Sequence, residues 1–350
     1  MENLTIIEKL KSGSVPEKQE LAQLLETITD SEREALKEAA QKKAQSIFSN
    51  KVYIRGLIEI SSYCKNDCLY CGLRRSNKNA VRYRLSKEQI LSCCENGHRL
   101  GFRTFVLQGG EDGYFTDDRV CTIIRAIKAR YPDCAVTLSL GERGEQSLRR
   151  LYEAGADRYL LRHETADRAH YEKLHPPQMN FDNRMENLRL LKSIGYQTGA
   201  GFMVGSPYQT TENLADDLLF IKAFQPQMCG IGPFVPHKDT IYRDCPHGSL
   251  RTALILLSVI RLMNPSILLP ATTALGTIDK NGRELGILHG ANVVMPNLSP
   301  QEHRADYSLY DNKISTGEEA AESVALLAKK LEAIGYEIAV CRGDYQDKTN

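Results

Sequence analysis

From residue 51 onward, short apolar runs alternate with longer amphipathic stretches. The eight apolar runs, each of strand length, are 52–61, 103–108, 135–140, 157–162, 198–205, 228–233, 267–271 and 291–295. The amphipathic stretches between them, several of which open with Ser, Thr or Asp, are 86–99, 116–130, 145–154, 181–194, 210–224, 249–263 and 279–288. Strands that alternate with capped helices predict parallel strands joined by crossover helices.

An eightfold repeat over about 250 residues favours an α/β fold of the (β/α)8 TIM barrel type. An open dinucleotide-binding sheet is disfavoured, because no predicted strand is followed by a G-x-G-x-x-G motif. The first 50 residues lie outside the repeat and show leucines at helical spacing, with capping boxes at Ser14–Glu17 and Thr29–Glu32. The expected organisation is an N-terminal helical cap over 1–50 and a barrel over 51–350, which together form a single structural unit. A helix at 317–335 and a short strand at 337–341 are expected to close the barrel.

Charge and composition narrow the class of partner. The 350 residues include 45 basic and 44 acidic residues and no tryptophan. This balance, without a basic stripe interleaved with aromatic residues, argues against a nucleic-acid groove or an anionic membrane surface. The chain also lacks a signal-peptide core and any apolar run of about 18–20 residues. We therefore expect a cytoplasmic protein that acts on a small molecule, with its ten cysteines reduced or bound to metal.

Three of the ten cysteines form a tight group directly after the first predicted strand. Cys64, Cys68 and Cys71 have the spacing C-x3-C-x2-C and lie where barrel enzymes keep their catalytic residues. Three thiolates on a 4Fe–4S cube leave one iron open to another ligand. Structural zinc favours paired C-x2-C units and a fourth ligand, which this loop lacks. The spacing therefore predicts a 4Fe–4S cluster, and the other seven cysteines are expected to be buried or free thiols.

The loop SSYCKNDCLYCGLRR resembles the cluster loop of the radical S-adenosylmethionine (SAM) superfamily. That resemblance implies that the open iron chelates SAM and that one-electron reduction produces a 5′-deoxyadenosyl radical. It also implies that glycines at the end of the second strand approach the methionine amino group and that the run GFMVGSP lies against the adenine. The SAM contacts assigned on this basis are Tyr70, Gly109, Gly110, Glu111 and Met203.

Longer stretches carry a closer resemblance. They are ISSYCKNDCLYCGLRRSN, LQGGED, DRYLLRHETA, NRMENLRLLKSIGYQTGAGFMVGSPYQT, GIGPFVPH, PATTALG and VVMPNLSP. Together they resemble the HydE family, the radical SAM maturases of FeFe-hydrogenase, over most of residues 50–310. The runs RHET and GIGPFVPH are not general features of the superfamily. Biotin synthase and methylornithine synthase are the nearest relatives of that family.

The resemblance to HydE implies a set of site residues. Glu164 and Arg184 would grip SAM, the carboxylate at the ribose or ammonium group and the guanidinium at the SAM carboxylate. Thr137 and Ser139 alternate along the third predicted strand, so both hydroxyls are expected to point into the barrel near SAM. The implied anion-binding substrate cavity is lined by Arg162, Met228, Thr272, Thr273, Met295, Tyr307 and Tyr310, of which Arg162 and Tyr310 are the candidate catalytic residues.

The implied substrate is an organometallic iron–cysteine species that bears CO and cyanide and is converted toward the di-iron precursor. Other hydrogenase maturases and an electron donor are the implied partners. Some HydE proteins carry three further cysteines for an accessory cluster, but residues 296–320 contain none. We therefore expect a single cluster.

Two alternatives stay open. A radical SAM enzyme of the methylornithine synthase or biotin synthase type would act on a small amino-acid-type substrate. A non-catalytic iron–sulfur carrier or scaffold would only deliver iron or electrons. The scattered cysteines weigh against biotin synthase, whose second cluster needs cysteines inside the barrel.

Overall fold

The structure is a computed structural model that describes residues 3–314 and 321–347. The α-helices in these ranges are α1 Asn3–Ser12, α2 Lys18–Thr27, α3 Asp30–Phe48, α4 Lys87–Arg99, α5 Asp117–Arg130, α6 Glu145–Glu153, α7 Arg168–Leu174, α8 Phe181–Ile194, α9 Thr211–Phe224, α10 Leu250–Met263, α11 Thr273–Ile278, α12 Gly282–Leu288 and α13 Val324–Ala333. The strands are β1 Lys51–Ile54, β2 Gly56–Ser61, β3 Thr104–Gly109, β4 Ala135–Ser139, β5 Arg158–Leu160, β6 Gln197–Ala200, β7 Met203–Val204, β8 Met228–Cys229, β9 Gly232–Pro233, β10 Val293–Val294 and β11 Glu337–Ala339.

The main sheet is parallel and follows the chain in the order β2-β3-β4-β5-β6-β8. Smaller parallel sheets, β10-β1-β11 and β7-β9, lie beside it. Single-residue parallel bridges join Met228 to Leu268, Pro270 to Val293 and Asn297 to Leu57 on β2. The α/β class and the parallel pairing predicted from the sequence are confirmed.

Local side chains explain why the helices begin where they do. Ser86, Thr210 and Ser249 each accept a hydrogen bond from the backbone N–H three residues later, at the starts of α4, α9 and α10. The predicted capping box at Thr29–Glu32 is present. The one predicted at Ser14–Glu17 is wrong, because Glu17 itself caps α2 in a box with Glu20.

Several predicted strands differ in detail. The run 52–61 is divided at Arg55 into β1 and β2, and the runs 198–205 and 228–233 each contain two short strands. No strand forms over 267–271, where Pro270 has no N–H to donate to a ladder. Helices α7 and α11 were not predicted. Residues 317–320 of the expected closing helix lie outside the described residues.

The body of the protein is closed at the N-terminal ends of its strands. Leu36 and Ala40 of α3 belong to the same buried cluster as Leu257 of α10. Arg158, fully buried at the start of β5, donates to Asp344 at 2.5 Å and to the backbone oxygen of Arg342 at 2.8 Å. The C-terminal ends of β2 to β6 therefore lie on the open side of the sheet, where the loops that follow these strands can form a site.

Candidate active site

The loop between β2 and α4, residues 62–85, is here called the cluster loop. It carries Cys64, Cys68 and Cys71 as free, partly buried thiols. The Cys71 N–H donates to the carbonyl oxygen of Cys68 at 3.2 Å, and the Arg74 N–H donates to that of Cys71 at the same distance. Successive turns therefore keep the backbone around Cys68 and Cys71 compact.

Arg82 organises this backbone, and sequence reasoning missed it. Its guanidinium donates to the carbonyl oxygens of Ser62, Leu73, Arg74 and Asn77, three of them at 2.7–3.2 Å. These carbonyls come from both sides of the cysteine motif, so one cation holds the two ends of the loop together. Only the fixed fork of arginine donors suits so many acceptors at once.

The three sulfurs do not all lie within 4.8 Å of one another, so they are not gathered for a single zinc ion. Tetrahedral zinc, at about 2.3 Å from each thiolate, brings sulfur atoms within about 4 Å of one another. In the described residues, only His98, Asp133 and Cys134 place three ligand atoms within 4.8 Å of one another. Burial raises the pKa of Cys71 to about 12, so a metal must displace a proton to bind there.

Glycine is required where β3 meets the cluster loop. A Cβ atom on Gly110 would lie 2.2 Å from the carbonyl oxygen of Tyr63 and 2.7 Å from Cβ of Cys64. Glu111, one residue further, accepts from the Glu142 N–H at 3.0 Å and pairs with Lys65 at 3.1 Å. Gly110 and Glu111 therefore support the loop from behind and do not line the cavity described next.

A cavity of about 340 Å³ lies at the open ends of the strands. The predicted residues that line it are Cys68, Tyr70, Cys71, Gly109, Ser139, Arg162, Glu164, Arg184, Met203, Thr272, Thr273, Met295, Tyr307 and Tyr310. None of the seven cysteines outside the motif lines it. One chamber thus contains two of the three candidate metal ligands and most of the candidate SAM and substrate contacts, whereas Cys64 does not line it.

Glu164 is held in a strained backbone conformation at the cavity wall. Its φ of 68° is in the left-handed region, which a residue with a branched or long side chain rarely adopts. Its N–H donates to the carbonyl oxygen of Gly201 at 3.0 Å. The buried Oε2 of Glu164 lies 3.3 Å from Nη2 of Arg162, yet neither atom has a hydrogen-bond partner. The two groups form an ion pair, and both keep hydrogen-bonding capacity that a polar ligand in the cavity can use.

Arg184, in the first turn of α8, is fixed by two acceptors. Its Nε donates to Oε1 of Glu142 at 2.5 Å, and its Nη1 donates to the carbonyl oxygen of Arg162 at 2.8 Å. Burial disfavours the charge, but Glu142 and other anionic groups raise the pKa of Arg184 above its usual value. The guanidinium is therefore a permanent cation in the cavity. Sequence reasoning did not identify Glu142.

Tyr70 is oriented by a neutral histidine. Burial lowers the pKa of His175 to about 3, and Nδ1 of this ring donates to the carbonyl oxygen of Tyr171 at 2.9 Å. Nε2 is then left to accept from the Tyr70 hydroxyl at 3.3 Å. This hydrogen bond fixes the Tyr70 ring of the cluster loop against the C-terminal end of α7.

Two predicted positions lie deeper than expected. Thr137 is buried with its hydroxyl unpaired, whereas Ser139, two residues closer to the open end of β4, lines the cavity. Met228 does not line it either. Its sulfur accepts from Nη1 of Arg55 at 2.9 Å, and its side chain packs with Leu268. Placing Met228 at the cavity surface was therefore a wrong inference, because Met228 begins β8 and packs below the cavity.

His163 in the RHET run packs inward. Its Nε2 lies 3.1 Å from Oδ1 of Asp217, and its Nδ1 accepts from the Gly201 N–H at 3.3 Å. Both side chains are fully buried. His163 therefore shapes the turn that presents Arg162 and Glu164.

The opposite wall is built from distant parts of the chain. Thr272 has a buried hydroxyl with no hydrogen-bond partner. Residues 301–314, here called the C-terminal segment, bring Tyr307 and Tyr310 to the cavity. Lys313 of this segment forms a short ion pair with the fully buried Glu59 of β2 and donates to the carbonyl oxygen of Tyr307 at 3.0 Å.

The Glu59–Lys313 pair was also missed by sequence reasoning. Burial raises the pKa of Glu59 against the opposing effect of the Lys313 ammonium. Oε2 of Glu59 accepts from Nδ2 of Asn297 at 2.9 Å. An acidic residue inside the otherwise apolar run that became β2 was the available signal, because an unpaired buried carboxylate is costly.

Comparison with known proteins identifies the family. Residues 58–221 match the family model described as the Radical SAM superfamily. Over 302 residues the chain is 44% identical to the FeFe hydrogenase maturase subunit HydE of Thermotoga maritima, and the match covers 86% of each chain. The chain belongs to the HydE group of the radical SAM superfamily. The resemblance found in its sequence is thereby confirmed.

Other relatives of this HydE-group chain share the fold. The 3-methylornithine synthase of Methanosarcina acetivorans is 30% identical over 338 residues, which cover 95% of this chain and 93% of that protein. A crystal structure of methylornithine synthase matches at 26% identity with a TM-score of 0.80, covering 95% and 97% of the two chains. The maturase HydG from Carboxydothermus hydrogenoformans matches at 19% identity with a TM-score of 0.80, covering 97% and 79%.

Radical SAM proteins use a 4Fe–4S cluster and SAM, and the site in this HydE-group chain fits both. The three thiols are too far apart for one zinc ion, and two of them, Cys68 and Cys71, line the cavity. Buried polar atoms of Arg162, Glu164 and Thr272 make no hydrogen bond within the protein and can bind a polar ligand. Among the described helices, none combines the length and apolar character that a membrane span requires.

Proposed function

We propose that this chain is a HydE-type maturase, a radical SAM enzyme that acts in assembling the di-iron site of FeFe-hydrogenase. The observation that carries the proposal is the 44% identity, over 86% of both chains, with the HydE subunit of Thermotoga maritima. The cavity supports it, because two of the candidate metal ligands, Cys68 and Cys71, share one chamber with candidate SAM and substrate contacts. Other hydrogenase maturases would donate the substrate and accept the product.

Within this proposal, Cys64, Cys68 and Cys71 hold the cluster. When bound, the reduced cluster and SAM together supply a 5′-deoxyadenosyl radical. Arg184, fixed by Glu142, donates to the carboxylate of SAM. The unpaired carboxylate oxygen of Glu164 accepts from a ribose hydroxyl or from the ammonium group. The glycine backbone at Gly109, the hydroxyl of Ser139, the Tyr70 ring and the Met203 side chain complete this wall and exclude water.

The substrate half of the cavity suits a small anionic molecule. Nε and Nη2 of Arg162 are buried and make no hydrogen bond within the protein. The buried hydroxyl of Thr272 makes none either. Tyr310 and Arg162 are the residues that we propose touch the reacting atoms. Thr273, Met295 and Tyr307 shape the chamber around an iron–cysteine species that bears CO and cyanide. Thr137 lies below this chamber, and Met228 is not among the proposed substrate contacts.

We also propose that the sheet is closed into a barrel. Bridges at Leu268, Pro270 and Asn297 support closure of the parallel sheet into a (β/α)8 barrel. Residues 1–50 would be a helical cap and 51–350 the barrel, sharing one core. Free cysteines throughout the chain support a reducing, cytoplasmic location. Neither a nucleic acid nor a membrane is proposed as a partner.

The test is a cell-free hydrogenase maturation mixture from which only this protein is omitted. Adding the wild-type protein back should restore hydrogenase activity, and adding Cys71→Ser should not. Hydrogenase activity that is equal with and without this protein would contradict the proposal.

A second candidate has specific support. The 30% identity to 3-methylornithine synthase spans 95% of this chain, and the same fold accommodates that activity. Incubation of the reconstituted protein with SAM, a reductant and the protein amino acids decides between the two. Formation of 3-methylornithine would favour the amino-acid enzyme, and its absence together with restored hydrogenase maturation would favour HydE.

A further inference from the structure

Residues 162–165, here called the RHET segment, follow β5 and form one wall of the cavity. The side chains of this segment alternate between two environments. Arg162 and Glu164 line the cavity, whereas His163 and Thr165 are fully buried on the other side of the chain. The direction in which the two cavity residues point therefore depends on how firmly the backbone between them is held.

The backbone at Glu164 needs contacts from the rest of the fold to keep its shape. Its φ of 68° is unfavourable for a residue with a long side chain, so neighbouring groups must maintain it. The Glu164 N–H donates to the carbonyl oxygen of Gly201 at 3.0 Å, and the carbonyl oxygen of Glu164 accepts from the Met203 N–H at 3.3 Å. These two bonds join Glu164 to the chain after β6 and leave the residues on either side to be held from elsewhere.

Asp217 of α9 holds both flanks of Glu164 with one oxygen. Its Oδ1 accepts from the Ala166 N–H at 2.6 Å and lies 3.1 Å from Nε2 of His163. Burial lowers the pKa of His163 to about 3, so the ring is neutral. Nδ1 of this ring accepts from the Gly201 N–H at 3.3 Å, so Nε2 carries the hydrogen and donates to Asp217. One acceptor on α9 thus connects the residue before Glu164 to the second residue after it.

Stability alone does not account for an acid at this position. Asp217 is fully buried, and among the described residues the only side chain that pairs with it is the neutral ring of His163. Burial raises the pKa of Asp217 well above its usual value, and Oδ2 has no hydrogen-bond partner. Half of the carboxyl group is therefore buried at a cost in free energy, and the other half makes both contacts to the RHET segment.

We propose that Asp217, acting through His163 and the Ala166 N–H, is a positioning residue that keeps the Glu164 carboxylate directed at SAM. What the position requires is an acceptor oxygen at Oδ1 and not a negative charge. This inference rests on the proposed function in that Glu164 is taken to contact SAM. Because the cluster ligands belong to a separate loop, loss of Asp217 should weaken SAM binding and leave cluster assembly intact.

The first test needs neither cluster nor SAM. Asp217→Leu removes the acceptor, whereas Asp217→Asn keeps an oxygen at the position of Oδ1. In the cluster-free protein, the amides of residues 162–166 should exchange hydrogen faster in Asp217→Leu and at the wild-type rate in Asp217→Asn. Exchange in the cluster loop should be the same in all three proteins.

The matched control is Asn292→Leu, just before β10 at the closed ends of the strands. Oδ1 of Asn292 also accepts two hydrogen bonds, from the Leu269 N–H at 2.9 Å and from Nη2 of Arg261 at 3.1 Å. Its Nδ2, like Oδ2 of Asp217, is buried and has no hydrogen-bond partner within the protein. The control therefore removes an equivalent buried acceptor at a distance from the RHET segment, and it should bind SAM like wild type.

The second test titrates SAM calorimetrically into the reconstituted protein with its cluster oxidised, so that SAM binds and is not cleaved. The Kd for SAM should rise roughly tenfold or more in Asp217→Leu, because a charge-assisted contact is lost, and should stay near the wild-type value in Asp217→Asn. With dithionite and no substrate, the KM for SAM should rise in Asp217→Leu while kcat changes little. The iron content should be the same in every variant.

A second variant covers the case in which Asp217→Leu does not fold. His163→Phe keeps a buried ring but cannot bond to Gly201 or Asp217, and it should show the same increase in Kd. Wild-type SAM affinity in the folded Asp217→Leu or His163→Phe variant would overturn the proposal. An equal loss of affinity in Asp217→Asn or in the Asn292→Leu control would overturn it as well. A wild-type protein that binds SAM but does not support hydrogenase maturation would instead count against the proposed function alone.

Discussion

The cluster loop and the C-terminal segment both border the cavity, but they are held in different ways. The cluster loop is organised from within, because Arg82 binds four carbonyl oxygens of the loop itself. The C-terminal segment is anchored from outside, through the ion pair between Lys313 and Glu59 of β2. A local arrangement can form before the rest of the fold, whereas a distant anchor requires the sheet to be complete.

The two regions should therefore respond differently when an anchoring contact is removed by mutation. Loss of a loop contact should disturb metal binding and leave the far wall of the cavity intact. Loss of the Lys313 anchor should loosen the wall that carries Tyr307 and Tyr310 and leave the three cysteines in place. The two regions touch where the Gly72 N–H donates to the carbonyl oxygen of Leu309 at 2.8 Å and where the ring of Tyr83 stacks on that of His303, with 4.4 Å between the ring centres.

The largest effect is expected from Cys68→Ser, which should abolish binding of the cluster. A serine hydroxyl is a poor substitute for an iron-bound thiolate. Iron bound after anaerobic reconstitution should fall from about four atoms per chain to the nonspecific level. The matched control is Cys245→Ser, a partly buried thiol that packs near Tyr70 but lies outside the motif, and it should keep its iron. Equal iron contents in the two variants would contradict the assignment of the ligands.

Lys313→Met should cost about 3–5 kcal/mol of unfolding free energy in the cluster-free protein, because Glu59 is left buried without its cation. The double variant Glu59→Gln/Lys313→Met should lose less, since neither charge then remains. Denaturant titration measures both. Hydrogen exchange should rise in residues 301–314 and not in residues 62–85. A double variant that is less stable than the single one would contradict this account of the anchor.

Arg82→Met should cost about 2 kcal/mol, because a partly buried cation loses several charge-assisted hydrogen bonds. Here the faster hydrogen exchange should appear in residues 62–85, with faster loss of iron to a chelator. Arg82→Lys should recover only part of the loss, since an ammonium cannot reach all four carbonyls. Arg75→Met, at an exposed neighbour, serves as the control and should behave like wild type.

The smallest effect on the fold is expected from Thr272→Val. The buried Thr272 hydroxyl has no partner, so its removal should leave stability unchanged or slightly higher. Affinity for the substrate should fall by about 1 kcal/mol, or five- to tenfold, if the hydroxyl donates to it. SAM cleavage without substrate should not change. A clear loss of stability would show that Thr272 has a structural partner instead.

The sequence predicted the local features of the site and missed its long-range ones. The spacing of Cys64, Cys68 and Cys71 and the two glycines after β3 are patterns within a few residues, so they can be recognised before any fold is known. Glu142 and Lys313 act through partners 42 and 254 residues away along the chain, and no short motif encodes such contacts.

In the fold, too, local features were predicted and long-range ones were missed. Helices with a side-chain cap, such as α4 and α9, begin within one residue of their predicted start. The run 267–271 is apolar enough for a strand, but Pro270 limits it to single bridges. Met228 was placed at the cavity only through the resemblance to HydE. Its actual depth depends on contacts with Arg55 and Leu268, which only the assembled sheet determines.

The central claim is that the three-cysteine loop and the cavity beside it together cleave SAM. The most direct measurement is the yield of 5′-deoxyadenosine when the anaerobically reconstituted protein is mixed with SAM and dithionite. The account predicts 5′-deoxyadenosine and methionine in equal amounts from wild type and neither from Cys68→Ser. No 5′-deoxyadenosine from a wild-type protein that has bound its iron, or the same yield from Cys68→Ser, would contradict it.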